Sequence, residues 1–456
     1  MTFGSEPVHF VGIGGAGMSA IAKVLIERGV PVSGSDLKRS RAATMLEVMG
    51  AEVHIGHRGS HVDGKGVVVV SSAIPPTNPE LVAARRSGAR VLTRGEALAE
   101  VLADKRSIIV AGTHGKTSTT SMIVTVLRSA DLDPTYLVGG GLNDVGTNAR
   151  FGWGELAVAE SDESDGSFLL LEPHVAVVTN IEIDHVDYWA SFDELKSGFA
   201  EFLARVVPHG AICVPVGDAD LVAMASATGR SVVTFGDGGG VEASDAEMGP
   251  SGSRFALIYG GKNEEVSLSV PGSHNVANAL AAAAACLQSG LDIEQVAAGL
   301  SAYQGVERRY QLRGTAGGVT VIDDYAHHPS EVRATLAAAR PGPWRRVVAV
   351  FQPHRYSRTA AMADDFGAAF ADADRIVVTD VYGAGESPVP GVTGKLVADA
   401  VCAAVPGRPV AYLPHRADLV GYLTSATRSG DAVLTLGAGD VTTVGEELLA
   451  RLGEGS

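Results

Sequence analysis

VGIGGAGMSA, from Val11 to Ala20, follows the apolar start Val8-His9-Phe10 and runs into the helix-length stretch MSAIAKVLIERG. Gly12, Gly14 and Gly17 have the G-x-G-x-x-G spacing. Glycines there let the backbone turn sharply out of a strand and bring free N–H groups at a helix N-terminus against a diphosphate. Asp36, closing VSGSD, sits where an acid meets ribose hydroxyls. This strand–loop–helix–acid order predicts a Rossmann-like unit that holds a nucleoside diphosphate. It does not choose between nicotinamide and any other nucleotide conjugate.

A second glycine loop, AGTHGKTSTT from Ala111, follows the strand SIIVA and opens the helix TSTTSMIVTVLRSA. Amides of Gly112, Thr113, His114 and Gly115 can wrap phosphates, and Lys116 can reach the β- and γ-phosphates of ATP. The Thr117 hydroxyl can take a place on Mg²⁺, and Ser118 completes the motif. Val110 stands where the usual pattern has its first glycine, so this loop is a variant. Phosphoryl transfer also needs metal ligands. In ELAVAESDESDGSF, Glu160 ends an apolar strand and is the expected ligand, while Asp162, Glu163 and Asp165 read as a solvated loop. VVTNIEIDHVDYW adds Asn180, Asp184 and His185 directly after another strand. His185 there fits a metal or phosphate role as well as a core position.

The rest of the chain sets the frame. Short β-branched runs alternate with alanine-rich helical stretches, the pattern of an α/β protein on parallel sheets. Three blocks follow from it: residues 1–105 as the first Rossmann-like domain, 106–310 as a central ATP-binding domain, and 311–456 as a second Rossmann-like domain. Between about 236 and 270 glycine, serine and acidic residues predict a small antiparallel extension of the central sheet. A net charge of −16 argues against a nucleic-acid or anionic-membrane partner, so any phosphate must be held by local devices. Cys213, Cys286 and Cys402 lie too far apart for a CxxC pair, and no apolar run reaches the ~18 residues of a membrane span. The expectation is a cytoplasmic protein, acting as a monomer or dimer.

The motifs GTHGKT, ESDESD, TNIEIDH, HNVANALAAAA, DDYAHHP and FQPHRYSRT come in the order and approximate spacing of one family. From about Val8 to Gly439 the chain resembles the Mur ligases of peptidoglycan synthesis, most closely their alanine-adding branch. The resemblance implies an N-terminal domain for a UDP-sugar, a central ATPase and a C-terminal domain for the incoming amino acid. It implies ATP and Mg²⁺ (or Mn²⁺) as cofactors, with UDP-N-acetylmuramate and L-alanine as substrates. Lys116 would hold the ATP phosphates, Thr117 and Glu160 one Mg²⁺, and His185 a second. Asn275, Asn278, Arg309 and Asp324 match nucleotide contacts, with Asn275 also readable as a helix cap. Tyr325, His327, Arg355 and Arg358 match positions around alanine and its carboxylate. Gly14, Ala16, Gly17, Asp36, His57, Ser71 and Ser72 fall in UDP-binding segments. Where several Mur ligases carry a carbamylated lysine, this chain has Phe199, with Lys196 one helical turn earlier, so no carbamate is expected.

The implied reaction joins L-alanine to the lactyl carboxylate of the UDP-sugar through an acyl phosphate, releasing ADP and phosphate. Alternatives are a Mur-type ligase for another amino acid or a peptide, an NAD-dependent oxidoreductase, and an ATPase driving a conformational switch. The oxidoreductase would explain the first loop only, leaving GKT and the acidic clusters idle.

Overall fold

The computed structural model describes residues 3–4, 6–184 and 188–454. The first sheet joins five parallel strands, β1 (Val8–Val11), β2 (Val32–Asp36), β3 (Glu52–Ile55), β4 (Val67–Val70) and β5 (Arg90–Thr93), in the order β3-β2-β1-β4-β5. β4 is wholly apolar and β1 is apolar apart from the buried His9, and Val8, Phe10, Val11, Val67, Val68 and Val69 are buried, as suits strands covered on both faces. The chain reverses direction across the sheet at β1, and the Gly12–Gly17 loop leaves β1 at that switch point.

The central sheet has ten strands: β6 (Arg106–Ala111), β7 (Thr135–Leu137), β8 (Ala149–Arg150), β9 (Leu156–Glu160), β10 (Val175–Val178), β11 (Ala211–Pro215), β12 (Ser231–Phe235), β13 (Val241–Gly249), β14 (Gly252–Tyr259) and β15 (Lys262–Leu268). Their order is β15-β14-β13-β12-β11-β10-β6-β9-β7-β8. β13, β14 and β15 pair antiparallel and form the expected extension. The phosphate loop leaves β6, flanked by the ends of β9 and β10. Helix Lys116–Ser129 after it is buried over most of its length against helices Ser273–Gln288 and Ile293–Ser301. Residues Ala281 to Ala285 are essentially solvent-free, because only methyl groups fit where helices approach so closely.

The third sheet contains β16 (Gln311–Ala316), β17 (Val319–Asp324), β18 (Arg346–Phe351), β19 (Arg375–Val378), β20 (Val410–Tyr412) and β21 (Asp431–Leu436), ordered β16-β17-β21-β18-β19-β20. Only the edge strand β16 runs antiparallel. The loops after β17 and β18 contribute walls to a cavity shared with the central domain. The first domain docks separately, through Arg94 on Asp165 (2.8 Å) and Phe151 N–H on Glu27 (2.7 Å).

Candidate active site

Gly112 (φ +124°) and Gly115 (φ +79°) hold the phosphate loop in left-handed backbone that a side chain would strain. Space also excludes side chains: a Cβ on Gly112 would overlap Thr179 Oγ1, and one on Gly115 would overlap Asn278 Oδ1. Gly112 thus does the turning that Val110, buried in β6, does not. Asn180 Oδ1 accepts the His114 N–H at 3.0 Å and fixes the loop's crest. Gly115 caps the following helix with no side-chain bond, so the helix N-terminus presents amides and a positive dipole end to an anion.

Lys116 Nζ donates to Gly112 O (2.5 Å) and Glu163 Oε2 (3.0 Å). Burial alone pulls its pKa down, but Glu163, Asp162 and Glu160 more than reverse this, and it stays an ammonium. Two of the three acids expected in solvent are therefore structural. Glu163 is buried because an enclosed ammonium needs a counter-charge, and Asp165 ties down Arg94. Asp162 lines the reaction cavity.

Glu160 meets the Thr117 hydroxyl at the floor of that cavity, and its Oε2 is buried without a hydrogen-bond partner. Burial raises the Glu160 pKa, with Thr117, Lys116 and Arg309 pulling it back. A buried carboxylate oxygen lacking a partner beside a hydroxyl is a hard-oxygen donor set that fits Mg²⁺. Gly139 passes directly over it, and a Cβ there would overlap Glu160 Oε1. His185, expected on a second metal, lies outside the described residues.

The third domain and the junction segment before it supply the opposite wall. Arg309 reaches Glu331 (3.5 Å) and stacks on Tyr325 with its guanidinium 5.2 Å from the ring centre. Burial works against its charge, but Glu331, Asp324, Tyr325 and Glu160 raise its pKa overall. Asp324 accepts the N–H groups of Tyr310 and Ala326 (both 2.7 Å), yet burial lifts its pKa to about 6. His327 is held neutral, its pKa lowered to about 4 chiefly by burial. Its Nδ1 faces the Tyr325 carbonyl at 3.0 Å, which makes Nδ1 the donor and leaves Nε2 an acceptor. Arg358 forms a buried two-point pair with Asp184 (3.1 and 2.9 Å) that joins the two domains. Arg355 lines the cavity, 3.9 Å from Glu386.

Three cavities meet here. One of about 240 Å³ is lined by His274, Asn275, Asn278, Arg309 and Asp324. The reaction cavity, about 420 Å³, shares Gly115, Arg309 and Glu331 with it. A third, of about 550 Å³, holds Gly14 and Ala16 on one side and shares Gly139, Gly140 and Glu307 with the reaction cavity.

Residues 7–106, 110–286 and 308–439 match, in turn, the Mur ligase family catalytic domain, the Mur ligase middle domain and the Mur ligase glutamate ligase domain. The chain belongs to the Mur ligase family. The ligase is 50% identical, over 98% of its length and all of the relative's, to the UDP-N-acetylmuramate–L-alanine ligase of Rubrobacter xylanophilus. It is 47% identical to that of Mycolicibacterium smegmatis, covering 98% of this chain and 95% of that one. The crystal structure of UDP-N-acetylmuramate-alanine ligase from Thermotoga maritima matches with a TM-score of 0.83 at 28% identity, over 99% of this chain and 100% of the other. Membership in this family removes the oxidoreductase reading of the first loop.

In the ligase, Asp36 accepts the Gly14 N–H at 2.9 Å and braces the first loop from below. Gly14 and Ala16 face the third cavity; Gly17 packs on Arg94, Ser71 abuts Gly12, and Ser72 is exposed beside it. His57 turns to Ser35 and Glu80, both 3.0 Å away. Burial opposes the Glu80 charge, yet His9, Ser35, His61 and His57 hold its pKa at about 2. Asn275 is not a cap: it lies inside its helix and donates to Pro271 O at 2.8 Å, while Gly272 takes the cap position. Phe199 is wholly buried in the core and Lys196 pairs with Asp220 at the surface, away from the site. Gly139–Gly141, Glu163, Glu182, Glu307 and Glu331 were not legible as site residues. Of these only the glycine run in VGGGLN and the capping position of Glu331 leave a trace in the sequence.

Proposed function

We propose that this ligase joins L-alanine to the lactyl carboxylate of UDP-N-acetylmuramate at the expense of ATP. The named relatives share nearly its full length, and the joined cavities carry the reading. A UDP-sugar anchored at Gly14 and Ala16 reaches the phosphate loop across Gly139 and Gly140. ATP, in the cavity of Asn275, Asn278 and Asp324, arrives at the same point from the other side.

A carboxylate cannot acylate an amine at neutral pH because oxide is too poor a leaving group. The lactyl carboxylate therefore attacks the γ-phosphorus, ADP departs, and an acyl phosphate forms. Lys116 swings from Glu163 and Gly112 O onto the transferring phosphoryl group, and Arg309 neutralises its charge from the junction with the third domain. Thr117 and Glu160 would hold Mg²⁺, which when bound supplies further neutralisation of phosphate charge. Arg355 takes the alanine carboxylate, and His327 Nε2 accepts a hydrogen bond from its amine, whose proton leaves with the phosphate. The amine attacks the activated carbonyl, and phosphate leaves from the tetrahedral intermediate. Arg358, its fork filled by Asp184, holds the third domain over the central one and keeps water from the acyl phosphate. ATP and a nucleotide sugar as substrates go with a cytoplasmic enzyme. No helix among the described residues is long and apolar enough to cross a membrane.

Phosphate release measured with ATP, UDP-N-acetylmuramate and single amino acids tests this. Release should require both the sugar nucleotide and alanine. Release without them, or equal rates with glycine, serine and alanine, would overturn the proposal.

A further inference from the structure

Three side chains converge where the third domain meets the crest of the phosphate loop. His114 belongs to the loop, Glu182 follows β10, and His328 caps helix Pro329–Ala339. Glu182 Oε2 lies 3.4 Å from His114 Nε2 and 3.8 Å from His328 Nδ1. One donor atom from each residue falls within 4.8 Å of the others. Ligand atoms around a tetrahedral zinc ion, with bonds near 2.0–2.1 Å, stand about 3.3 Å apart. By roughly that geometry the Glu182 contacts shorten by at most about 0.5 Å and the two imidazole nitrogens, now within 4.8 Å, by up to about 1.5 Å to form a coordination sphere.

The far sides of both rings are already engaged. His114 Nδ1 faces Glu331 Oε1 at 3.4 Å, and His328 Nε2 faces the Ile183 carbonyl at 3.3 Å. A carbonyl can only accept, so His328 carries its proton on Nε2 and keeps a lone pair on Nδ1, which accepts the Ser330 N–H and lies 3.8 Å from Glu182 Oε2. Outer partners of this kind orient metal-binding histidines. His114 Nε2 is buried and faces Glu182 alone, at 3.4 Å, and His328 Nδ1 has only a long contact of 3.3 Å from the Ser330 amide. Ser330 Oγ donates to Glu182 Oε2 at 2.5 Å and steadies the carboxylate. Two imidazoles and one carboxylate suit Zn²⁺, whereas Mg²⁺ favours oxygen ligands throughout.

We propose that His114, Glu182 and His328 form an interdomain site for a divalent cation of the Zn²⁺ class, separate from the Thr117–Glu160 position. The fourth coordination place opens on the nucleotide cavity, which His114, Glu182, Ser330 and Glu331 line. Because His328 comes from the third domain and the other two ligands from the central one, the cation fastens the domains in the closed arrangement.

Titration of the metal-stripped full chain with Co²⁺ reads the site directly. One equivalent should bind with the strong visible bands of tetrahedral Co²⁺, be displaced by Zn²⁺, and resist millimolar Mg²⁺. His328→Gln and Glu182→Gln should each weaken binding about tenfold or more, with circular dichroism confirming that both variants fold. X-ray absorption of the Zn²⁺-loaded wild-type chain should show two imidazoles and a carboxylate, whatever the variants' stability. No saturable Co²⁺ binding, a coordination shell without imidazole, or bands at full strength in both variants would each overturn the site.

Discussion

Replacing Gly139 with alanine adds one methyl group at the point where the cavity of Gly14 and Ala16 meets the phosphate loop. Gly139 has no positive φ, so alanine meets no backbone strain there, and the effect is one of contact alone. The added Cβ would overlap Glu160 Oε1 and sit 2.9 Å from both Glu160 Cδ and Thr117 Oγ1. Ordinary carbon contacts lie near ~3.5–4.0 Å, so the carboxylate must retreat by roughly 1 Å. It is buried on the far side and cannot swing into solvent. A misplacement of that size in a phosphoryl-transfer site costs about 10²-fold in rate, or roughly 2.7 kcal/mol of transition-state stabilisation. Steady-state kinetics with varied Mg²⁺ should show kcat reduced by about that factor and a higher metal requirement. UDP-N-acetylmuramate affinity, measured by calorimetry, should change far less. Wild-type kcat with an unchanged metal requirement would refute the role assigned to Glu160.

Three further outcomes follow from the same geometry. Lys116→Ala should lower turnover by about 10²–10³-fold or more while leaving UDP-sugar binding intact by calorimetry; full activity would sink the phosphate-loop assignment. Asp184→Asn leaves Arg358 buried against a neutral amide and should cost about 3–5 kcal/mol of stability, read as a lower denaturation midpoint and a higher KM for alanine. His114 is raised to about 9, because Glu182 and Glu331 outweigh the burial that lowers it. Its stabilising contribution is therefore complete below the ordinary value of 6.5 and lost as pH rises through about 9. Glu182, held at about 2 mainly by His114, contributes above its ordinary 4.5 and loses that as pH falls through about 2. The melting-temperature gap between wild type and His114→Gln should be widest between pH 4.5 and 6.5 and should close toward pH 9. A gap independent of pH would contradict the ion pairs.

Both glycine loops could be read from the sequence because each is a local device: strand, tight turn and helix N-terminus within about twenty residues. The buried strands β4 and β10 were equally plain, since solvent-free parallel strands need unbroken apolar runs. The short β7 and β8 carry no such pattern, and their pairing depends on tertiary company. The same divide runs through the site. Lys116, Thr117 and Glu160 announce themselves by position after a strand. Glu163, Glu182 and Glu331 do not, because each acquires its role from a cation on a distant element: Lys116, His114 and Arg309. Arg358 shows the converse. Its sequence setting suggested a substrate contact, and only the fold reveals Asp184 filling its fork.

The passage between the cavity of Gly14 and Ala16 and the phosphate loop has a bearing on inhibition. Its shared wall includes Gly139 and Gly140, so no side chain from these two positions bars a single molecule from spanning both compartments. A compound tethering a diphosphate-sugar mimic to a phosphate-loop ligand would gain avidity of order 10²–10⁴ if its linker matched that span. Escape by enlarging Gly139 would push a methyl group into Glu160, so resistance arising there would carry its own loss of fitness.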